Sequence, residues 1–213
     1  MKLYYGSETY FQEPTYGYGK TTNDYGLGFY MTSSYEIAKL WAAKSNKGGY
    51  VLTFDFDLSD LSILNLKDYG EENVLRWISI LLNHRFSFVE KEKYKAQIEW
   101  LNNKFHLNLD SFDAIIGYRA DDSYFNYSKA FVADELSFEV LTEAMRIGKL
   151  GLQYVAISKK AFQKLRFVKA DYIEHSDDYS MFQKRTLEEY NELKRSDKIE
   201  NTFIRDIIRK YGN

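Results

Sequence analysis

Apolar residues recur along the chain at two spacings, which predict a mixture of short strands and amphipathic helices. Strands are indicated where apolar and polar residues alternate, or where β-branched and aromatic residues cluster. The predicted strands are residues 2–7, 28–32, 50–56, 61–66, 112–118, 152–158 and 167–173. Helices are indicated by apolar residues three or four positions apart. The predicted helices are residues 35–47, 72–84, 90–105, 137–147 and 159–165.

Two long stretches lie between these elements. A loop over residues 13–28 is rich in Gly, Tyr and Thr. Loops of this length without secondary structure of their own are usually functional or disordered. The residues that follow Tyr118 are interpreted as a polar loop, which continues to the helix at residue 137.

Charged, helix-forming sequence begins at Ser176 and contains one amphipathic segment. Its apolar residues are Ile199, Phe203, Ile204, Ile207, Ile208 and Tyr211. An apolar face of this kind packs against other parts of a fold. We therefore predict a domain over residues 1–175, with residues 176–213 as a helical C-terminal extension packed on it.

The composition fits a globular chain that builds its core without cross-links. Of the 213 residues, 45% are hydrophobic and 28% are charged, which suffices for a core. The absence of Cys excludes disulfides and cysteine-rich zinc sites, and it favours a reducing cytoplasm. No signal-peptide core or bilayer-spanning stretch is evident, so we expect a cytoplasmic protein without a membrane partner. The 29 basic and 31 acidic residues give no general attraction to nucleic acid.

The motifs of common hydrolases and nucleotide-binding folds are missing from the sequence. His84, His106 and His175 lie far apart and outside an HExxH pattern, so no metal site is predicted. Neither a GxSxG elbow nor a GxxxxGK[ST] loop occurs. The segment Gly26-Leu27-Gly28 leads into a strand, whereas a dinucleotide-binding turn leads into a helix.

Four segments, taken in their order and spacing, are characteristic of a known family. They are Leu3-Tyr4-Tyr5-Gly6-Ser7; residues 24–32 with Ala38, Trp41 and Ala42; residues 112–117 with Ala120, Asp121 and Asp122; and Gln153-Tyr154-Val155. Together they resemble the ADP-ribosyltransferases, in particular an uncharacterised bacterial branch whose genes often lie beside that of a small antitoxin-like protein. The resemblance implies an α+β fold with two small packed antiparallel sheets, inserted helices and a helical C-terminal tail. It also implies that NAD lies in the cleft between the sheets.

The resemblance implies that the first strand binds NAD through Tyr4, Tyr5, Gly6 and Ser7. Gly6 has no side chain, so its backbone can approach the nicotinamide carboxamide closely. Tyr5 stands where the family usually has His or Arg, and its phenol can hydrogen-bond a ribose hydroxyl without carrying a positive charge. Tyr5 and Ser7 are expected to hold the riboses.

In the second strand, Tyr30 is similar to the Tyr that stacks on nicotinamide in the family. An aromatic face can hold the departing base in a reactive pose. Gly26 and Gly28 are expected to let the chain pass close to NAD. Asp24 is expected to brace this turn by bonding its own backbone. Trp41 is interpreted as a core residue.

Gln153 stands where the family typically has a Glu that accepts a hydrogen bond from the nicotinamide-ribose 2′-OH. An amide oxygen can accept that bond, but it supplies neither the negative charge nor a general base. Either the acceptor needs no base, or another carboxylate supplies it, with Asp122 and Asp121 as the candidates. These two residues also fit an ordinary cap of a helix or turn. Arg85 and Arg119 are candidates for contacts with the pyrophosphate.

The function implied by the resemblance is that of an NAD-dependent mono-ADP-ribosyltransferase. Such an enzyme releases nicotinamide and passes ADP-ribose to an acceptor on a protein or nucleic acid. It is expected to be the toxin of a toxin–antitoxin pair, with a small antitoxin protein as a partner. Two alternatives stay open. One is an NAD glycohydrolase, in which water takes the place of the acceptor. The other is a module that binds NAD or a partner with little or no turnover, since Tyr5 and Gln153 depart from the family pattern.

Overall fold

The computed structural model describes residues 1–67, 70–120, 122–147, 151–198 and 200–212. Seven strands lie in these ranges: β1 (Lys2–Ser7), β2 (Phe29–Thr32), β3 (Gly49–Phe56), β4 (Ile63–Asn65), β5 (Ala114–Tyr118), β6 (Leu152–Ala156) and β7 (Leu165–Ile173). Nine α-helices lie in the same ranges: α1 (Tyr35–Ala43), α2 (Glu71–Arg85), α3 (Phe88–Lys93), α4 (Lys95–Phe105), α5 (Asp122–Val132), α6 (Phe138–Ile147), α7 (Lys159–Gln163), α8 (Asp178–Ser196) and α9 (Ile204–Tyr211). None of these helices is long and apolar enough to cross a membrane.

Most predicted elements are present within a few residues of the expected bounds, but two predictions are wrong. The helix expected over residues 90–105 is divided at Tyr94, and its first part is set by a capping box between Ser87 and Glu90. The polar loop expected after Tyr118 contains α5. The inner face of α5 is buried in the core through Tyr127 and Phe131. Tertiary packing therefore stabilises a helix where the polar residues of the sequence suggested a loop.

The seven strands form one sheet in the order β4-β5-β6-β2-β1-β3-β7. The pair β4–β5 is parallel and the other neighbours are antiparallel. The mixed α+β class is therefore confirmed, whereas the expectation of two separate sheets is wrong for the described strands. β2 pairs with β6, and β1 pairs with β3 from Lys2 to Ser7. These two halves of the sheet are joined at Tyr4 opposite Thr32.

Side chains that alternate along the strands enter cores on opposite faces of the sheet. Leu3 and Tyr5 pack into a cluster that contains Met31, while Tyr4 packs against α1 on the other face. The largest core lies on the α1 side, where Val155 of β6 meets apolar residues of α2, α4, α5 and α6. The α1 side of β1 and β2 is therefore where loops and helices converge.

The C-terminal helix α9 packs on the largest core. Ile204 and Ile207 are buried there, and the Trp100 indole N–H of α4 donates to the carbonyl of Gly212 at 3.1 Å. Ile199, which the sequence assigns to the same amphipathic segment, lies outside the described residues.

Candidate functional site

A gap opens in the sheet where β1 and β2 diverge. The described ladder between them consists of Tyr4 opposite Thr32. If the antiparallel register continued, Gly6 would lie opposite Tyr30, but the ladder ends before this pair. The two residues therefore flank an opening between adjacent strands.

The backbone of Gly6 is directed into this opening. Met1 and Phe56 exchange two hydrogen bonds at the start of the β1–β3 ladder, with distances of 2.9 and 2.8 Å. Hydrogen-bonded and non-hydrogen-bonded pairs alternate along an antiparallel ladder, so Gly6, opposite Val51, does not bond to β3. Its N–H and C=O face β2 instead, where a ligand amide can pair with both groups.

The packing of α1 on β1 requires glycine at position 6. A Cβ at this position would overlap the Ala38 carbonyl oxygen and come within 2.7 Å of the Trp41 Cβ and 2.9 Å of the Ala42 nitrogen. Glycine therefore allows α1 to lie directly on β1. This requirement differs from the close ligand approach that the sequence suggested for Gly6.

A cavity of about 470 Å³ lies beside the opening, within the size range of small-molecule sites. Its polar and charged lining includes Lys20, Asp24, Lys44, Arg85, Arg119 and Gln153, and its aromatic lining includes Tyr4, Tyr5, Tyr30, Trp41 and Tyr179. Gly6 of β1, Tyr30 of β2 and Gln153 of β6 thus border the same cavity. Their assigned roles toward NAD stay predictions.

The Asp24 carboxylate joins four segments of the chain at one wall of the cavity. One oxygen accepts a hydrogen bond from Arg85 Nη1 at 3.0 Å. The other accepts from the Ala120 N–H at 2.8 Å and from Gln153 Nε2 at 2.7 Å. The loop before β2 is thereby fixed to the end of α2, the end of β5 and the start of β6.

Burial dominates the electrostatics of Asp24. Its side chain is 8% exposed, and loss of hydration raises its pKa above the usual range for Asp. The Ala120 N–H, the positive charge of Arg85 and the Gln153 amide oppose that rise. Because three donors converge on it, the carboxylate is held in a single orientation at the cavity edge.

Arg85 is part of this wall. Besides Asp24, its Nη1 donates to the Ala120 carbonyl, and its guanidinium lies 4.5 Å from the Phe125 ring centroid. The sequence suggested a contact between Arg85 and pyrophosphate. The structure instead directs Arg85 Nη1 to the Asp24 carboxylate, with which it forms an ion pair.

Tyr30 is held by the loop that precedes it. Its hydroxyl donates to the Gly26 carbonyl at 2.6 Å and accepts from the Tyr25 N–H at 3.1 Å, and its ring stacks on Tyr25 at 6.5 Å between centroids. Burial raises the pKa of the Tyr30 phenol, which therefore stays neutral. These contacts position the ring, which borders the cavity.

A wall of aromatic and cationic groups lies near α1 and α8. The rings of Trp41 and Tyr179 are 5.2 Å apart. Lys44 Nζ lies 4.8 Å from the Tyr179 ring centroid, and the Arg119 guanidinium lies 5.1 Å from that of Trp41. Trp41 thus lines the cavity as well as packing on the core. The two cations suit an anionic ligand, and the two rings suit a planar one.

The other predicted site residues are placed differently. Tyr5 is among the residues that line the cavity, but its ring packs on Phe29 and Phe11, at 4.7 and 5.8 Å, on the face of the sheet opposite Tyr4. Ser7 accepts a hydrogen bond from the Thr9 N–H at 3.2 Å. Gly28 adjoins β6, where a Cβ would come within 2.7 Å of Val155 Cγ1. Neither Ser7 nor Gly28 is among the residues that line the cavity.

The two carboxylates proposed after β5 cannot be placed in the site. Asp121 lies outside the described residues, and the side chain of Asp122 does as well. The carboxylate that the structure brings to Gln153 is Asp24. The sequence suggested that Asp24 bonds its own turn, but its described partners are 61, 96 and 129 residues away. No local pattern distinguishes it.

The arrangement offers a planar stacking face, backbone groups suited to an amide, a buried carboxylate and amide pair, and several cations. Among the described residues, no cluster of three His, Asp or Glu suited to a metal ion is found.

Residues 1–167 of the chain match a family described as "Protein of unknown function (DUF3990)". The match includes β1 to β6, α1 to α7 and the start of β7, whereas α8 and α9 lie beyond it. No curated protein matches the chain. No solved structure matches it either.

Proposed function

We propose that this chain, which belongs to the DUF3990 family of proteins of unknown function, is an NAD-dependent mono-ADP-ribosyltransferase. One observation carries the proposal: Gly6, Tyr30 and Gln153, from three strands far apart in the sequence, border one cavity of about 470 Å³ at a gap in the sheet. Three of the residues that carry the resemblance to the ADP-ribosyltransferases therefore border one cavity.

Each of the three residues offers a group suited to the nicotinamide end of NAD. The N–H and C=O of Gly6 match the acceptor and donor of a carboxamide. The Tyr30 ring offers a fixed face for the pyridinium, which is a planar cation. The Gln153 Oε1 can accept a hydrogen bond from the 2′-OH of the adjoining ribose.

The pyrophosphate is assigned to the cationic side of the cavity. Lys20, Lys44 and Arg119 all line it, and ammonium and guanidinium groups are the usual partners of phosphate oxygens. Of the two arginines that the sequence suggested for the pyrophosphate, Arg119 remains a candidate. Lys20 and Lys44 take the place of Arg85. The acceptor enters where the cavity opens to solvent.

The proposed reaction breaks the bond between the ribose C1′ and the nicotinamide nitrogen. The bonding electron pair leaves with nicotinamide, which becomes neutral, and a nucleophile of the acceptor forms the new bond to C1′. The acceptor loses its proton to solvent or to a nearby carboxylate. The chain's own contribution is to hold the base, the ribose and the phosphates in the geometry from which this exchange occurs.

The test is incubation of the purified protein with labelled NAD, first alone and then with a cell lysate. We expect nicotinamide release and a labelled macromolecule, which digestion with protease or nuclease assigns to protein or nucleic acid. Tyr30→Ala and Gln153→Ala should each lower nicotinamide release by about 10²–10³. Tyr18→Ala and Gln163→Ala change exposed residues outside the cavity lining and serve as matched controls.

The outcomes separate the candidate activities. Nicotinamide release without a labelled acceptor assigns hydrolysis instead of transfer. NAD binding without release at any protein concentration overturns the proposal in favour of a binding module. Unchanged transfer by both Tyr30→Ala and Gln153→Ala rejects the assigned site. The toxin role implied by the family resemblance stays a prediction, and arrested growth on induced expression tests it.

A further inference from the structure

Gln153 and Asp24 form a buried pair at the cavity. Gln153 is 3% exposed and Asp24 is 6% exposed, and the amide nitrogen lies 2.7 Å from the carboxylate oxygen. Both residues line the cavity. The fold therefore brings a loop residue and a strand residue, 129 positions apart in the sequence, together in the wall of the cavity.

The carboxylate determines which end of the amide a ligand meets. Burial raises the pKa of Asp24, but the Arg85 charge and the Ala120 N–H stabilise its ionised form. A glutamine side chain can present either its NH₂ group or its oxygen after a half-turn, but an ionised carboxylate accepts hydrogen bonds and cannot donate them. The nitrogen of Gln153 must therefore face Asp24. The described side-chain hydrogen bond of Gln153 is made by Nε2, so Oε1 is the atom left for the ligand.

A carboxylate behind an amide also changes the amide's strength as an acceptor. A hydrogen bond from the NH₂ group to an anion draws electron density toward the oxygen, and bonds in such a chain strengthen one another. Asp24 thus places negative charge one hydrogen bond away from the group that faces the ligand. A carboxylate at position 153 would place the same charge in direct contact.

We infer that Asp24 is a positioning residue that fixes Gln153 with its oxygen toward the cavity and supplies the negative charge that Gln153 itself lacks. The inference rests on the proposed function, since the ligand group it serves is the hydroxyl beside the reacting carbon. Asp24 thus takes the role of the carboxylate for which the sequence suggested Asp121 or Asp122.

The test is a swap of the two groups, with kcat and KM for nicotinamide release measured for each protein. Asp24→Asn removes the charge and is expected to lower kcat tenfold or more, while KM changes less than threefold. The reason is that the attraction between the Asp24 charge and the ribose, which acts through Gln153, grows as positive charge develops on the ribose. Gln153→Glu alone places two carboxylates at hydrogen-bond distance and should also lower kcat. The double variant, Asp24→Asn with Gln153→Glu, keeps one carboxylate and one amide and is expected to recover at least tenfold over Asp24→Asn.

Asp197 offers a matched control for the loss of a structural carboxylate. It accepts from the Ser137 N–H at 2.7 Å and from Asn201 Nδ2 at 2.9 Å, so it shares with Asp24 a backbone donor and a side-chain amide donor, and it does not line the cavity. Asp197→Asn should lower the melting temperature and leave kcat unchanged. This control separates a loss of folding from a loss of positioning.

Three results decide the inference. Recovery of kcat in the double variant supports it, since a merely structural role for Asp24 predicts no rescue by a change at Gln153. Wild-type kcat in Asp24→Asn, or a double variant no better than Asp24→Asn, overturns the inference while the proposed function stands. Absence of nicotinamide release from the wild-type protein overturns both.

Discussion

The rings of Trp41 and Tyr179 pack 5.2 Å apart and join α1 to α8 at the wall of the cavity. Tyr179 lies beyond residue 167, where the family match ends. The C-terminal extension therefore contributes to the candidate site as well as to the core. We therefore expect ligand binding to depend on a residue outside the part of the chain that defines the family.

Tyr179→Ala should weaken NAD binding by roughly 3- to 10-fold, because an aromatic contact is worth about 0.5–1.5 kcal/mol. Isothermal titration with NAD measures the change. Tyr211→Ala is the matched control, since Tyr211 of α9 packs on Trp100 and Phe105 and does not line the cavity. Equal affinities for the two variants would show that the ring of Tyr179 takes no part in binding.

Gly6→Ala should lower the free energy of unfolding by about 1–3 kcal/mol, the usual cost of overpacking. The added methyl group would overlap the Ala38 carbonyl and press on the Trp41 Cβ, so β1 and α1 must separate. Chemical denaturation followed by fluorescence measures the loss.

Gly17→Ala is the comparison for this glycine. Gly17 has a φ of +76° and no atom within 4 Å of an added Cβ, so its substitution tests backbone strain without steric overlap. We expect the melting temperature of Gly6→Ala to be the lower of the two. The reverse order would refute the packing argument for Gly6.

Asp24→Ala should cost about 3 kcal/mol of stability, because it removes a buried ion pair with Arg85 and takes the acceptor from the Ala120 N–H and the Gln153 amide. The side chains of Asp24 and Arg85 are 8% and 17% exposed, so solvent screens the pair weakly. A double-mutant cycle with Arg85→Met isolates the interaction. We expect the double variant to be more stable than the sum of the single losses predicts, and simple additivity would argue against coupling.

Local sequence patterns predict most of the individual elements of this fold. Leu52, Phe54 and Phe56 alternate along β3 and are buried in one cluster, and Val74, Leu75 and Ile78 recur at helical spacing in α2 and are buried. α5 was missed because residues 122–124 and 126 at its start are polar or aromatic, and its apolar face is completed by other helices.

Long-range pairing is what the sequence leaves undetermined. The continuity of the sheet depends on Tyr4 meeting Thr32, and no local pattern encodes that register. The grouping of Gly6, Tyr30 and Gln153 was predicted from a family resemblance and not from periodicity. Asp24 was missed as their neighbour because its partners lie in three distant segments.

The half-buried His84 is expected to make the free energy of unfolding depend on pH. Its ring lies against Gly26, where an added Cβ would come within 2.8 Å of the imidazole Cε1, and burial lowers the pKa of His84 below its usual 6.5. A hydrogen bond with the Thr21 backbone and the charge of Asp24 oppose this shift, while Lys91 and His106 add to it. The folded protein therefore favours the neutral ring.

The sign of the pH effect follows from the protons bound in each state. Between the folded pKa and about 6.5, the unfolded chain binds more protons at His84 than the folded chain does. The free energy of unfolding should therefore fall as the pH is lowered from 7 toward 5. The contribution of the neutral His84 ring to that free energy is complete above pH 7. His84→Gln removes this titration and should flatten that part of the curve. Denaturation at pH 8, 7, 6 and 5 compares the two proteins, and equal slopes below pH 7 would contradict the prediction.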